Sequence, residues 1–142
     1  MLRDYRKHCI HNVDLTIEIL ENLSQMGISI AIDDFGTGYS SFTSLKRLPI
    51  NIIKIDKSFI SDMCSDIDNT AIVNAIISMS HILGLKVVAE GVETEQQLAL
   101  LRDLGCDAYQ GYLKGKPMMA SQLEEYLSSC SNQEDVNVGL ER

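Results

Sequence analysis

Apolar and polar positions along the chain repeat one layout three times: an amphipathic run ends at glycine and an apolar stretch follows, in LSQMG-ISIAIDD, SHILG-LKVVAEG and LRDLG-CDAYQG. The spacing predicts a helix, a closing glycine and a buried strand in each case. Gly27, Gly84 and Gly105 suit the left-handed residue that ends a helix, because glycine has no Cβ to clash there. The strands are expected to begin one residue after each glycine and to end in a polar residue. Asp33 and Glu90 lie six residues past their glycines and Gln110 lies five past its own. A fourth strand, Asn51 to Asp56, follows Pro49, which cannot continue a helix and so marks a loop. It too ends in charge.

Helical stripes accompany these strands. Val13, Ile17 and Leu20 recur at helical spacing, as do Ile72, Ile76 and Met79, so all six are expected in the core. Thr94 with Gln97 forms a capping box before Leu98 and Leu101, and Ser121 with Glu124 reads as a second before a final helix through Leu127. Residues 129–142 are polar and aperiodic and read as a frayed tail, which leaves one folded unit over 1–128. Strands that are nearly all apolar and alternate with helices imply an α/β fold with a parallel sheet buried on both faces. An open doubly wound sheet and part of a (β/α)8 barrel both satisfy this pattern. In either, ligands bind at the C-terminal ends of the strands.

Composition narrows the function. With 142 residues, 45% hydrophobic and 23% charged, the chain has the makings of one ordinary globular core. A formal net charge of −8 offers no footprint for a DNA or RNA backbone. Apolar runs such as 28–32 and 50–53 are far shorter than the roughly 18–20 residues of a membrane span, and no secretory signal follows Arg3, Arg6 and Lys7. Cys9, Cys64, Cys106 and Cys130 form no C-x-x-C pair, so four reduced thiols and a cytoplasmic setting are expected.

Candidate chemistry sits at the strand ends. Asp33-Asp34-Phe35-Gly36-Thr37-Gly38 places adjacent carboxylates where a strand stops. Such oxygen donors suit Mg²⁺ or Mn²⁺, and one carboxylate can bridge a metal pair about 3.5–4 Å apart. Turn formation or helix capping is the structural alternative for both acids. Gly36-x-Gly38 lacks the third glycine of a dinucleotide loop, which removes a Rossmann reading. Lys54, on a strand otherwise made of isoleucine, needs an anion. A site carboxylate, a substrate phosphate or a structural pair with Asp56 would supply one. Glu90 follows Val87-Val88-Ala89 and could serve as ligand or base. Glu93 could position its loop, and Gln110 could hold a substrate edge or be a satisfied core amide. His8, His11 and His81 share no ligand spacing and are expected on the surface.

Taken in order, AIDDFGTGYSS, LPINIIKID, VVAEGVET and QGYLKGKP resemble the EAL family of cyclic di-GMP phosphodiesterases over about residues 12–127. The resemblance implies a (β/α)8 barrel that binds two Mg²⁺ or Mn²⁺ ions and opens cyclic di-GMP to linear pGpG in bacterial signalling. It makes Asp33 the bridging metal ligand and Asp34 a ligand of the second ion. Glu90 would bind metal and the attacking water, while Lys54 would position that water or stabilise the charged transition state. Gln110 would hold water or substrate, Glu93 would fix the loop starting at Phe35-Gly36, and the region after Asp34 would form a homodimer. The ions would lower the pKa of bound water and screen a dianionic diester from a chain of net charge −8.

The family's Glu-Ala-Leu strand, a strand bearing an Asn ligand and one bearing a further acidic ligand do not occur in this chain, which matches the second half of a barrel of about 250 residues. Open strand edges and a shortage of metal ligands lead to the expectation that the isolated chain is inactive. A non-catalytic nucleotide-binding or dimerisation module is the alternative function class.

Overall fold

The computed structural model describes residues 13–36 and 47–130. Helix α1 (Val13–Gln25) leads to strand β1 (Ala31–Phe35), and β2 (Ile52–Ile55) is followed by α2 (Lys57–Asp62) and α3 (Ile67–Ile82). Strand β3 (Lys86–Glu90), α4 (Glu95–Asp103), β4 (Ala108–Gln110) and α5 (Ala120–Cys130) complete the order. The four strands make one sheet in the order β1-β2-β3-β4, and all its pairs are parallel. The α/β class is as expected.

Three helices stop by one mechanism. Gly27, Gly84 and Gly105 have φ of 80°, 74° and 78°. The amide after each glycine returns to a carbonyl five residues back: Ile28 to Leu23, Leu85 to Ser80 and Cys106 to Leu101, at 3.1, 2.9 and 2.9 Å. These are Schellman closures, which satisfy carbonyls that the helix itself leaves without donors. The strands begin one to three residues later than the pattern predicts, at Ala31, Lys86 and Ala108, and the residue after each glycine, spent on the closure, accounts for one residue of each delay.

One face of the sheet carries the core. Ile53, Ile55, Val87 and Ala89 are fully buried, packed with Val73, Ile76 and Ile77 of α3 and Leu98 and Leu101 of α4. Each large aliphatic side chain so buried contributes about 1.5–3 kcal/mol. The expectation of burial on both faces is corrected: burial alternates along β2 and β3, and the opposite face keeps partial access. Helices among the described residues cover only one side.

The helical stripes need correction too. Ile76 is core and Met79 partly buried, but Ile72 is exposed and lines an open apolar hollow of about 390 Å³ with Phe35 and Phe59. Ile17 and Leu20 are half-buried and stand outside the core cluster. Val13's side chain and the region immediately after Gly36, where a dimer contact was expected, lie outside the described residues.

Thr94 and Gln97 form the expected capping box, each side chain bonding the other's backbone. The expected Ser121–Glu124 box is absent because α5 starts two residues earlier than a Ser121 cap requires, at Ala120. Gln122 Oε1 instead accepts from the Met119 amide at 2.9 Å. Helix α5 also runs to Cys130, two residues into the stretch read as tail. Cys64 and Cys106 are free thiols, and no helix among the described residues is long and apolar enough to cross a membrane.

Candidate metal and phosphodiester site

Parallel register and the two-residue strand period determine which side chains meet. Ile52 pairs with Ala31 and with Lys86, Lys54 with Val88, and Glu90 with Gln110. Paired residues in a parallel sheet share a face, so Lys54, Glu90 and Gln110 all stand on the face opposite the core. Asp33, two residues past Ala31, joins them. Lys54 and Glu90 are partly buried, whereas Asp33 and Gln110 are exposed.

Asp34 would ordinarily face the other way. Adjacent residues of a regular strand point to opposite faces. Between Ile32 and Phe35, however, the β1–β2 register shifts, and Asp34 has φ of 52°. Aspartate tolerates this left-handed backbone better than most residues, and an extra strand residue re-aims side chains. Asp33 and Asp34 consequently converge with Glu90, their ligand oxygens all within 4.8 Å of one another. The bulge also explains why Asp33 is the third residue of β1 and not its end.

Lys54 supplies the positive charge. Its Nζ donates to Asp33 Oδ1 at 3.0 Å and also to Glu90 Oε1. Partial burial alone pulls the ammonium's pKa down, but hydrogen bonds and charge from Glu90 and Asp33 outweigh it, and the net shift is upward. Asp56, the structural partner considered for Lys54, instead caps α2 by accepting from the Ser58 amide at 2.8 Å.

A second pair stands on the rim. Glu93 binds Lys57 Nζ, and this hydrogen bond, reinforced by charge, raises the lysine's pKa. The loop carrying Glu93 is fixed by Gln97, which is almost fully buried. Its Oε1 accepts from the Glu93 and Thr94 amides at 2.8 and 3.0 Å, while its Nε2 donates to the Ile60 carbonyl at 3.1 Å. Val92 donates to the Gln110 carbonyl, and Leu113 donates to that of Val92, each at 3.1 Å. A Cβ at Gly111 would collide with the Val92 backbone, so this approach requires glycine.

The sequence pattern put Asp33, Asp34, Lys54, Glu90 and Gln110 at or near strand ends but gave no sign of the face they share, of Lys57 or of the second role of Gln97. Lys57 lies 36 residues from Glu93, and no local spacing announces that pair. His81 is exposed as expected, its Nε2 2.9 Å from Asp107 Oδ2.

The donor set suits a hard divalent cation: three carboxylates within reach of one centre, with no sulfur or imidazole among them.

A family model described as "EAL domain" matches residues 7–117. The chain is 54% identical over 114 residues to the bifunctional diguanylate cyclase/cyclic di-GMP phosphodiesterase MucR of Pseudomonas aeruginosa, covering 80% of this chain and 17% of that protein. It is 52% identical over 118 residues to the cyclic di-GMP phosphodiesterase NbdA of the same organism, covering 83% and 15%. Among solved structures, the MucR phosphodiesterase in complex with cyclic di-GMP superposes with a TM-score of 0.75 at 53% identity, covering 81% of this chain and 47% of that one. The EAL domain of Mycobacterium smegmatis DcpA gives 0.78 at 40%, covering 84% and 54%. A manganese and cyclic di-GMP complex of Klebsiella pneumoniae BlrP1 gives 0.70 at 35%, covering 79% and 29%. The chain thus spans about half of the first two solved chains and less than a fifth of the two full-length relatives.

Proposed function

The chain belongs to the EAL domain family, its four strands being part of that family's barrel, and from this premise we propose that it supplies the C-terminal half of a metal-dependent cyclic di-GMP phosphodiesterase site. The observation that carries the reading is the convergence of Asp33, Asp34 and Glu90, with Lys54 bonded among them, on the uncovered face of the sheet.

In this reading Asp33, Asp34 and Glu90 hold Mg²⁺ or Mn²⁺. When bound, such ions acidify water and neutralise charge at phosphorus. The protein's own groups do the rest. Glu90 orients the attacking water and takes up its proton as the new P–O bond forms. Lys54 offers an ammonium to the phosphoryl oxygen, where negative charge grows. Gln110, beside Glu90, presents two donors and an acceptor to water or substrate. Glu93, tied to Lys57 and held by Gln97, keeps the rim in place. The P–O3′ bond of one phosphodiester breaks as the new P–O bond forms, its oxygen takes a proton from water to leave as the 3′-hydroxyl, and the product is linear pGpG. The reaction takes place in the cytoplasm, with a second subunit contacting the region after Asp34.

The 142-residue chain alone is inactive in this reading, because among the described residues β1 and β4 are open edges and only three carboxylates come together. The test incubates the chain with Mn²⁺ and cyclic di-GMP and follows pGpG by chromatography. It is run alone and after co-expression with the N-terminal half of a related EAL barrel, with Glu90→Ala as control. Product only in the complemented sample, lost in Glu90→Ala, supports the reading. Glu90-dependent product from the chain alone refutes the incompleteness. No product from a folded, complemented barrel refutes the enzyme and leaves a nucleotide-binding or dimerisation module.

A further inference from the structure

Three carboxylates with oxygens within 4.8 Å repel one another unless a cation stands among them. Lys54 is that cation in this structure. Strand β2 lies between β1 and β3, so the lysine enters from the middle of the sheet, between the strands that carry its two partners. Its Nζ lies 3.0 Å from Asp33 Oδ1 and also binds Glu90 Oε1, with its side chain 24% exposed. A divalent ion bound by these acids draws on the same carboxylate charge, and the ammonium beside them repels it. Ion and ammonium therefore compete for the same carboxylates.

We propose that Lys54 is a resident counter-ion that holds Asp33 and Glu90 in the metal-free protein, gives them up when a divalent cation binds, and then turns its ammonium to the substrate's phosphate. This rests on the metal reading above and adds an order to it. Before loading, the ammonium is engaged by carboxylates. After loading, it is free for a phosphodiester anion. Metal and substrate binding are thereby coupled favourably, and by reciprocity each tightens the other. The arrangement weakens metal affinity in exchange for acids that stay poised when the metal is absent.

The test titrates the full 142-residue chain with Mn²⁺, reading the free ion by electron paramagnetic resonance. Lys54→Met removes the ammonium, and Lys54→Gln removes the charge while keeping a donor, so one remains usable if the other fails to fold. Lys57→Met removes the same charge from the neighbouring Glu93 pair. Both Lys54 variants are expected to bind Mn²⁺ about tenfold more tightly than wild type. Lys57→Met should stay within about twofold, because its field is solvent-screened, and Asp33→Asn should lose binding. Equal or weaker binding by the Lys54 variants overturns the counter-ion role but leaves the metal reading intact. An equal gain in Lys57→Met assigns the effect to net charge and also overturns it. No binding by any form, alone or co-expressed with the N-terminal half of a related EAL barrel, overturns both.

Discussion

The two faces of the sheet use the same strands for opposite ends. Along β2, Ile53 and Ile55 disappear beneath the helices, while Lys54 between them faces the carboxylates. Along β3, Val87 and Ala89 are buried and Glu90 turns outward. One residue of slippage would exchange every one of these positions, so the core fixes the register and the register places the chemistry. Stability and function are separated by strand parity. They meet at β1, where a bulge brings two consecutive acids to one side.

The largest effect that would break this division is Ile53→Ala. It removes a fully buried side chain and should cost about 2–5 kcal/mol in denaturant unfolding, with the metal cluster unaltered in whatever remains folded. A loss under about 1 kcal/mol would mean that the covered face is not the main store of stability.

Asp34 sharpens the comparison at its weakest point. Asp34→Val places a branched side chain at a left-handed backbone and should be about 1–2 kcal/mol less stable than Asp34→Gly, which keeps the bulge without the acid. Equal stability would mean that the bulge does not persist in solution.

Lys54→Met gives the smallest stability change, about 0.5–1 kcal/mol without metal, because the Asp33 side of the pair is open to water. The lysine's folded pKa lies above the ordinary 10.5. Its contribution is therefore complete below 10.5 and fades as pH rises through the folded value. The gap between wild type and variant should be flat across neutral and mildly alkaline pH, then close above that range. A gap that widens with pH would contradict the pairing.

Much of this was legible in the chain. Glycines at 27, 84 and 105 announced three helix ends, and the acids beyond the first two announced the strand ends where carboxylates converge. Local pattern could not supply the faces: a strand of isoleucine and valine reads as doubly buried, whereas only its helix-covered side is. Nor does Asp-Asp-Phe-Gly by itself set φ at Asp34, which depends on pairing with β2 across the intervening chain. Ile72 failed as a core position because helical spacing gives a stripe's angle but not the width of the surface beneath it. Lys57 and Gln97 act through contacts 36–37 residues apart, which only the folded sheet creates.

The most direct test of the division between faces is Glu90→Gln in a completed barrel, with Mn²⁺-dependent pGpG release and thermal unfolding measured on the same sample. Turnover should fall at least about a hundredfold while the melting temperature stays within about 4 °C of wild type. Retained turnover, or loss of turnover only in step with unfolding, would contradict it.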